Sequence, residues 1–162
     1  MYEFVVFLHV TGAIVFALGH GTSVAVAFRL RVEKENPRIA ALLDASSWGT
    51  NLMYVGLLLI IGSGIALGFM GDFWGQWWLW VSIGVLVVVM GAMYAMAAPF
   101  YGAVRVASGG VIPEKYRSRV TSEAAAAALQ RLGSWRAPMR VTLIGGVGLL
   151  VILWLMVFQP GG

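Results

Sequence analysis

Two imidazoles, His9 and His20, are the groups in this chain best suited to chemistry, and both lie inside one long apolar stretch from Tyr2 to Phe28. On an α-helix eleven residues complete about three turns, so the two rings point roughly the same way, about 16 Å apart along the axis. Ala13, Phe16, Ser23 and Ala27 share that face. His20 sits in Gly19-His20-Gly21, where absent side chains let a flat ligand or a neighbouring helix approach the ring. An imidazole can ligate a haem iron, bind copper or zinc, shuttle a proton or donate a hydrogen bond inside a bundle. At this separation the two cannot grip one ion together, and no other apolar stretch contains a histidine. A second ligand must therefore be methionine, tyrosine, water or another subunit.

Met90, Met93 and Met96, with Tyr94 and Tyr101 nearby, supply the candidate partners. Thioethers at this spacing are good packing material, and they are also soft ligands for haem iron or Cu(I). The chain has no cysteine, which excludes disulfides, thiolate metal sites and covalent c-type haem attachment. There is no Walker A loop, no GxSxG and no HExxH. No Asp, Glu, Lys or Arg falls in the middle of an apolar stretch, which argues against a stand-alone pump or proton-coupled carrier.

The elements that must position these groups are membrane spans. Of the 162 residues 60% are hydrophobic and 11% charged, a balance far from that of a soluble domain. The expected architecture is all-α, a single domain over 1–162 with four transmembrane helices at about 2–28, 48–70, 77–101 and 138–158. The first span lacks a basic leader and is expected to remain in the mature protein. All eleven Lys and Arg residues fall in or beside the connections between spans 1 and 2 and between spans 3 and 4. The positive-inside rule then places that side in the cytoplasm and both termini outside, in a multi-pass protein of a bacterial inner membrane. The pI near 9.9 reflects these flanks, so the expected electrostatic partner is the lipid bilayer and not nucleic acid.

Asn36-Pro37 is expected to cap and open the second helix, which runs amphipathically to Trp48. Gly64 and Gly68, four apart, suggest close helix packing, and Gly145, Gly146 and Gly148 do the same in the last span. Four of the seven tryptophans crowd the turn between spans 2 and 3, as an aromatic belt or, less simply, an aromatic cage. Pro99 is expected to kink or loosen the third helix. A cytoplasmic surface helix is expected from Pro113 to Leu132, between helices 3 and 4.

Phe7-Leu8-His9-Val10-Thr11-Gly12-Ala13, Arg29-Leu30-Arg31, Gly62-Ser63-Gly64-Ile65-Ala66-Leu67 and Met156-Val157-Phe158-Gln159-Pro160 resemble a bacterial four-helix integral-membrane family of unknown function. That family is itself distantly similar to CopD-type copper-resistance proteins and HemJ-type protoporphyrinogen oxidases, which share a first-helix histidine. The resemblance implies His9 as the carried-over residue.

The leading expectation is a small membrane-embedded haem- or porphyrin-binding protein acting in electron transfer or haem handling. Haem b would be its cofactor, His9 and His20 the candidate iron ligands, and Met90, Met93 and Met96 the candidate opposite ligands. A non-catalytic accessory subunit of a larger membrane complex, or a homo-oligomer, is the alternative. A copper-handling protein using histidine and methionine is the third reading. Hydrogen-bonded histidines and a quinone contact stay open beside these.

Overall fold

The computed structural model describes residues 1–110, 120–134 and 136–161, and every regular element among them is helical. Four helices, α1 (Tyr2–Leu30), α2 (Asn36–Met70), α3 (Trp77–Ala107) and α5 (Ala137–Phe158), are long and apolar enough to cross a membrane. A 3₁₀ turn (Phe73–Gly75) joins α2 to α3, and the short α4 (Ser122–Arg131) precedes α5. Pro37 lies in the first turn of α2, as expected, but the capping position is Glu35, one residue earlier than Asn36. α3 runs through Pro99 without interruption. The proline still removes the donor that would have reached the Ala95 carbonyl.

The helices form two antiparallel hairpins, α1 with α2 and α3 with α5, and the two hairpins differ in how they are closed. The α1–α2 seam is nearly side-chain-free. A Cβ placed on Gly56 would lie 2.8 Å from the Gly12 carbonyl oxygen, and one on Gly19 would lie 2.6 Å from the Met53 nitrogen. Gly12 and Gly19 are seven residues apart, as are Gly49, Gly56 and Ser63, so the small residues recur on one stripe and let two backbones touch along two turns. Without a hydrophobic drive between helices in lipid, this van der Waals contact is what fastens them. Gly64 and Gly68 do not join the seam. Gly64 faces the His9 ring and Gly68 faces the Trp74 indole.

The hairpins touch each other sparsely except at their ends. At the tryptophan end Trp78, Leu79 and Leu155 form a buried cluster with Phe73, Trp74 and Met156 around it. Trp78 is only 2% exposed, whereas Trp77 and Trp80 are 52% and 56% exposed. The tryptophan-rich turn is therefore part plug and part belt. At the opposite end, which gathers Arg29, Arg31, Lys34, Arg38, Arg105, Arg131, Arg136 and Arg140 by the order of the helices, Leu30, Ile39, Leu43 and Val104 form the larger buried cluster.

α4 closes that cluster with Ala128, followed by Leu132, and Ala125 of the same helix is buried as well. Thr121 caps it, its side-chain oxygen accepting the Ala124 N–H at 3.2 Å. The earlier part of the expected surface helix, 113–119, falls outside the described residues.

One ionic lock spans α2 and α3 at the basic end. The Arg105 guanidinium meets the Asp44 carboxylate at 2.9 Å, donates to Ser47 Oγ at 2.7 Å and donates to the Leu43 carbonyl. The Arg105 side chain is 18% exposed and that of Asp44 60% exposed, so most of the lock resides in the shielded hydrogen bonds. Arg105→Ala is expected to cost about 3 kcal/mol, and Asp44→Asn under about 1 kcal/mol, in reversible unfolding from mixed micelles. Equal losses from the two variants would contradict this division.

Candidate functional site

The two histidines share a helix but not an environment. Measured around α1 from the Gly12–Gly19 seam in a seven-residue frame, His9 stands about 50° away and His20 about 100° away. His9 therefore looks along α2, while His20 looks across to the second hairpin.

His9 Nδ1 lies 3.0 Å from Ser63 Oγ. The Ser63 hydroxyl has one proton and donates it to the Leu59 carbonyl, so its oxygen accepts from an Nδ1–H and the Nε2 of His9 carries the lone pair. Gly64 leaves room for the ring, since a Cβ there would lie 3.2 Å from His9. His9 thus ties α1 to α2 and leaves one unprotonated nitrogen.

His20 stands at the wall of a cavity of about 330 Å³ between the hairpins. The cavity is walled by Ala27 and Leu30 of α1, Thr50 and Met53 of α2, Ala97 and Ala98 of α3, and Val141 and Thr142 of α5. Tyr54, Tyr94 and Tyr101 also line it, and Arg105 sits at its basic end. Among the described residues no Asp or Glu lines it. Beside His20, a Cβ placed on Gly145 of α5 would lie 2.7 Å from His20 Nε2 and 3.2 Å from Met93 Sδ. The absence of a side chain at Gly145 therefore lets an imidazole nitrogen and a thioether sulfur both pack against the same position of α5. Met90, one turn from Met93 on the same face of α3, lines the cavity as well.

Of the five side chains singled out from the sequence, the structure brings His20, Met90 and Met93 to this cavity, while His9 and Met96 are not among its lining residues.

No family model, curated protein or solved structure matches this chain.

The site's chemistry thus rests on its own geometry. Two residues of it were missed as functional in the sequence. Ser23, on the histidine face in sequence, lines the cavity, while its Oγ is buried against Gly49 in the α1–α2 seam with no hydrogen-bond partner among the described residues. Gly145 was read as a packing residue, and it is the residue that lets His20 and Met93 meet. Neither carried a local signal, because Gly145 acts only when α5 is laid against α1 and α3, and Ser23 takes its place only when α1 is laid against α2.

Proposed function

We propose that this protein is a membrane-embedded copper-handling or electron-transfer protein of a bacterial inner membrane, with its basic end in the cytoplasm and both termini outside. His20, Met93 and Met90 would hold a single Cu(I) ion. The observation that carries this reading is the convergence of His20 Nε2 and Met93 Sδ on Gly145.

Charge and softness select the ion. Imidazole and thioether are both neutral, and soft sulfur donors favour Cu(I) over harder ions. A divalent ion in an apolar cavity with no lining carboxylate would keep two uncompensated charges, whereas Cu(I) keeps one. The tyrosine faces lining the cavity offset part of that single charge. Bound there, copper would supply one-electron exchange or a carried ion. His20 and Met93 would fix its place, and the apolar walls would exclude water.

Haem, the first expectation from the sequence, draws support from His20 and from Arg105, whose guanidinium reaches Leu43 and Ser47 at the basic end of the same cavity. It is supported less well, because His20 and Met93 meet on one side of the α5 backbone, whereas axial ligands must stand on opposite faces of a macrocycle.

Protein purified in mild detergent and titrated with Cu(I) against a chromophoric chelator is expected to bind one ion per chain. His20→Ala and Met93→Leu should each weaken binding at least 100-fold. A Soret band that disappears in His20→Ala would replace copper with haem. A colourless protein that takes neither would overturn both readings.

A further inference from the structure

The cavity is far larger than one ion needs, and its shape and lining identify a second occupant. Between the aromatic plug and the Arg105 lock, α2 and α3 have little direct contact, and the cavity lies behind that gap. Tyr54 and Tyr94 line the cavity and are nevertheless 48% and 64% exposed, which places them at its rim. Tyr54 is sixteen residues before the end of α2 and Tyr94 seventeen after the start of α3. On helices joined by a tight turn they stand at the same depth, about 25 Å from the tryptophan end. The rim therefore faces the acyl-chain region of a bilayer and not water.

We propose that this cavity binds the ring of a membrane-dissolved quinone, which enters sideways between Tyr54 and Tyr94. The chemistry of the interior selects that class. The walls are apolar and small, leaving flat space beside Ala97 and Ala98, and the tyrosines offer faces for an aromatic or quinonoid ring. Ser23 also lines the wall, but its Oγ has essentially no open surface and lies against Gly49 in the α1–α2 seam, so recognition falls to the tyrosine faces and the shape of the cavity. A volume of about 330 Å³ holds one small ring system, with an isoprenoid tail trailing through the rim into lipid. A phospholipid fits less well. Its phosphate belongs at the headgroup level, and Arg105, the one charged lining group among the described residues, is already engaged by Asp44, Ser47 and the Leu43 carbonyl.

This inference does not rest on copper, so it is tested on metal-free protein in phosphatidylcholine nanodiscs, with decyl-ubiquinone as the probe and tryptophan quenching as the readout. Saturable binding is expected. Tyr94→Ala, which removes a ring face at the rim, should weaken it about tenfold, and Tyr94→Phe, which keeps the face, much less. Ala97→Phe, which fills the cavity, should abolish saturation. As a check that does not depend on variants folding, an azido-quinone should label peptides containing residues 20–27 and 90–101 in the unaltered protein, with excess decyl-ubiquinone suppressing the label. Quenching that rises linearly without saturation, or label spread over the lipid-facing sides of all four long helices, would overturn the proposal. So would a tightly bound phospholipid, seen by native mass spectrometry, that decyl-ubiquinone does not displace.

Discussion

Gly56→Leu is expected to separate α1 from α2 and to unfold the protein under conditions where the parent chain is fully folded. The reason is geometric. A Cβ on Gly56 would already sit against the Phe16 amide nitrogen and 2.8 Å from the Gly12 carbonyl oxygen. These are main-chain atoms of a regular helix, and they cannot rotate away as a flexible side chain can. The helices must move apart along the seam, losing dispersion contacts at Gly12, Gly19 and Gly49 together. A core insertion typically costs about 1–3 kcal/mol, and one that displaces a whole helix should lie at or beyond the upper end. Gly62 provides the control. It lies on the same helix with nothing within 4 Å of an added Cβ, so Gly62→Leu should be neutral or slightly stabilising through helix propensity. Unfolding in mixed micelles, followed by far-ultraviolet circular dichroism, measures both. Equal effects from the two variants would mean that the seam is not what holds the first hairpin together.

That seam shows what was legible in the residues and what was not. Lengths and hydropathy predict four long helices, and the structure has them, because a span's apolarity is a property of the segment itself. Pairing is a property of two segments. Gly64 and Gly68 attract attention by their four-residue spacing, yet they meet side chains of His9 and Trp74. The true contact follows a seven-residue spacing through Gly12, Gly19, Gly49 and Gly56, which becomes visible only when the two helices are considered as a pair. Trp78 teaches the same lesson: indoles near a turn read alike in sequence, and only packing separates the buried plug from its exposed neighbours.

The candidate site was legible to the same degree. His20, Met90 and Met93 carry recognisable donor chemistry, and their types alone single them out. His9 does so equally, and what distinguishes it is its hydrogen bond to Ser63, 54 positions away. A repeat of eleven residues places both rings on one side of an isolated helix. The seven-residue seam then rotates the frame against which that side is measured, and the two rings part company.

The sharpest test of the proposed metal corner is a pair of neighbouring glycines. Gly145→Ala is expected to lower Cu(I) affinity by about 100-fold or more while leaving the helical content unchanged, and Gly146→Ala is expected to do nothing. A methyl group on Gly145 would lie 2.7 Å from His20 Nε2 and 3.2 Å from Met93 Sδ, so it would push both donors away from α5 and change their spacing. Both side chains are flexible enough to turn away, which spares the fold but separates the nitrogen from the sulfur. Displacing supporting groups around metal ligands typically costs 10–100-fold in affinity, and a methyl that blocks two donors at once should reach or exceed that range. At Gly146 an added Cβ meets nothing within 4 Å, so the same chemical change one residue away reports on helix α5 alone. The two variants therefore share composition, helix propensity and membrane depth, and differ in whether the new methyl faces His20 and Met93. If Gly145→Ala retained full Cu(I) affinity, the convergence would be packing and the copper reading would fall.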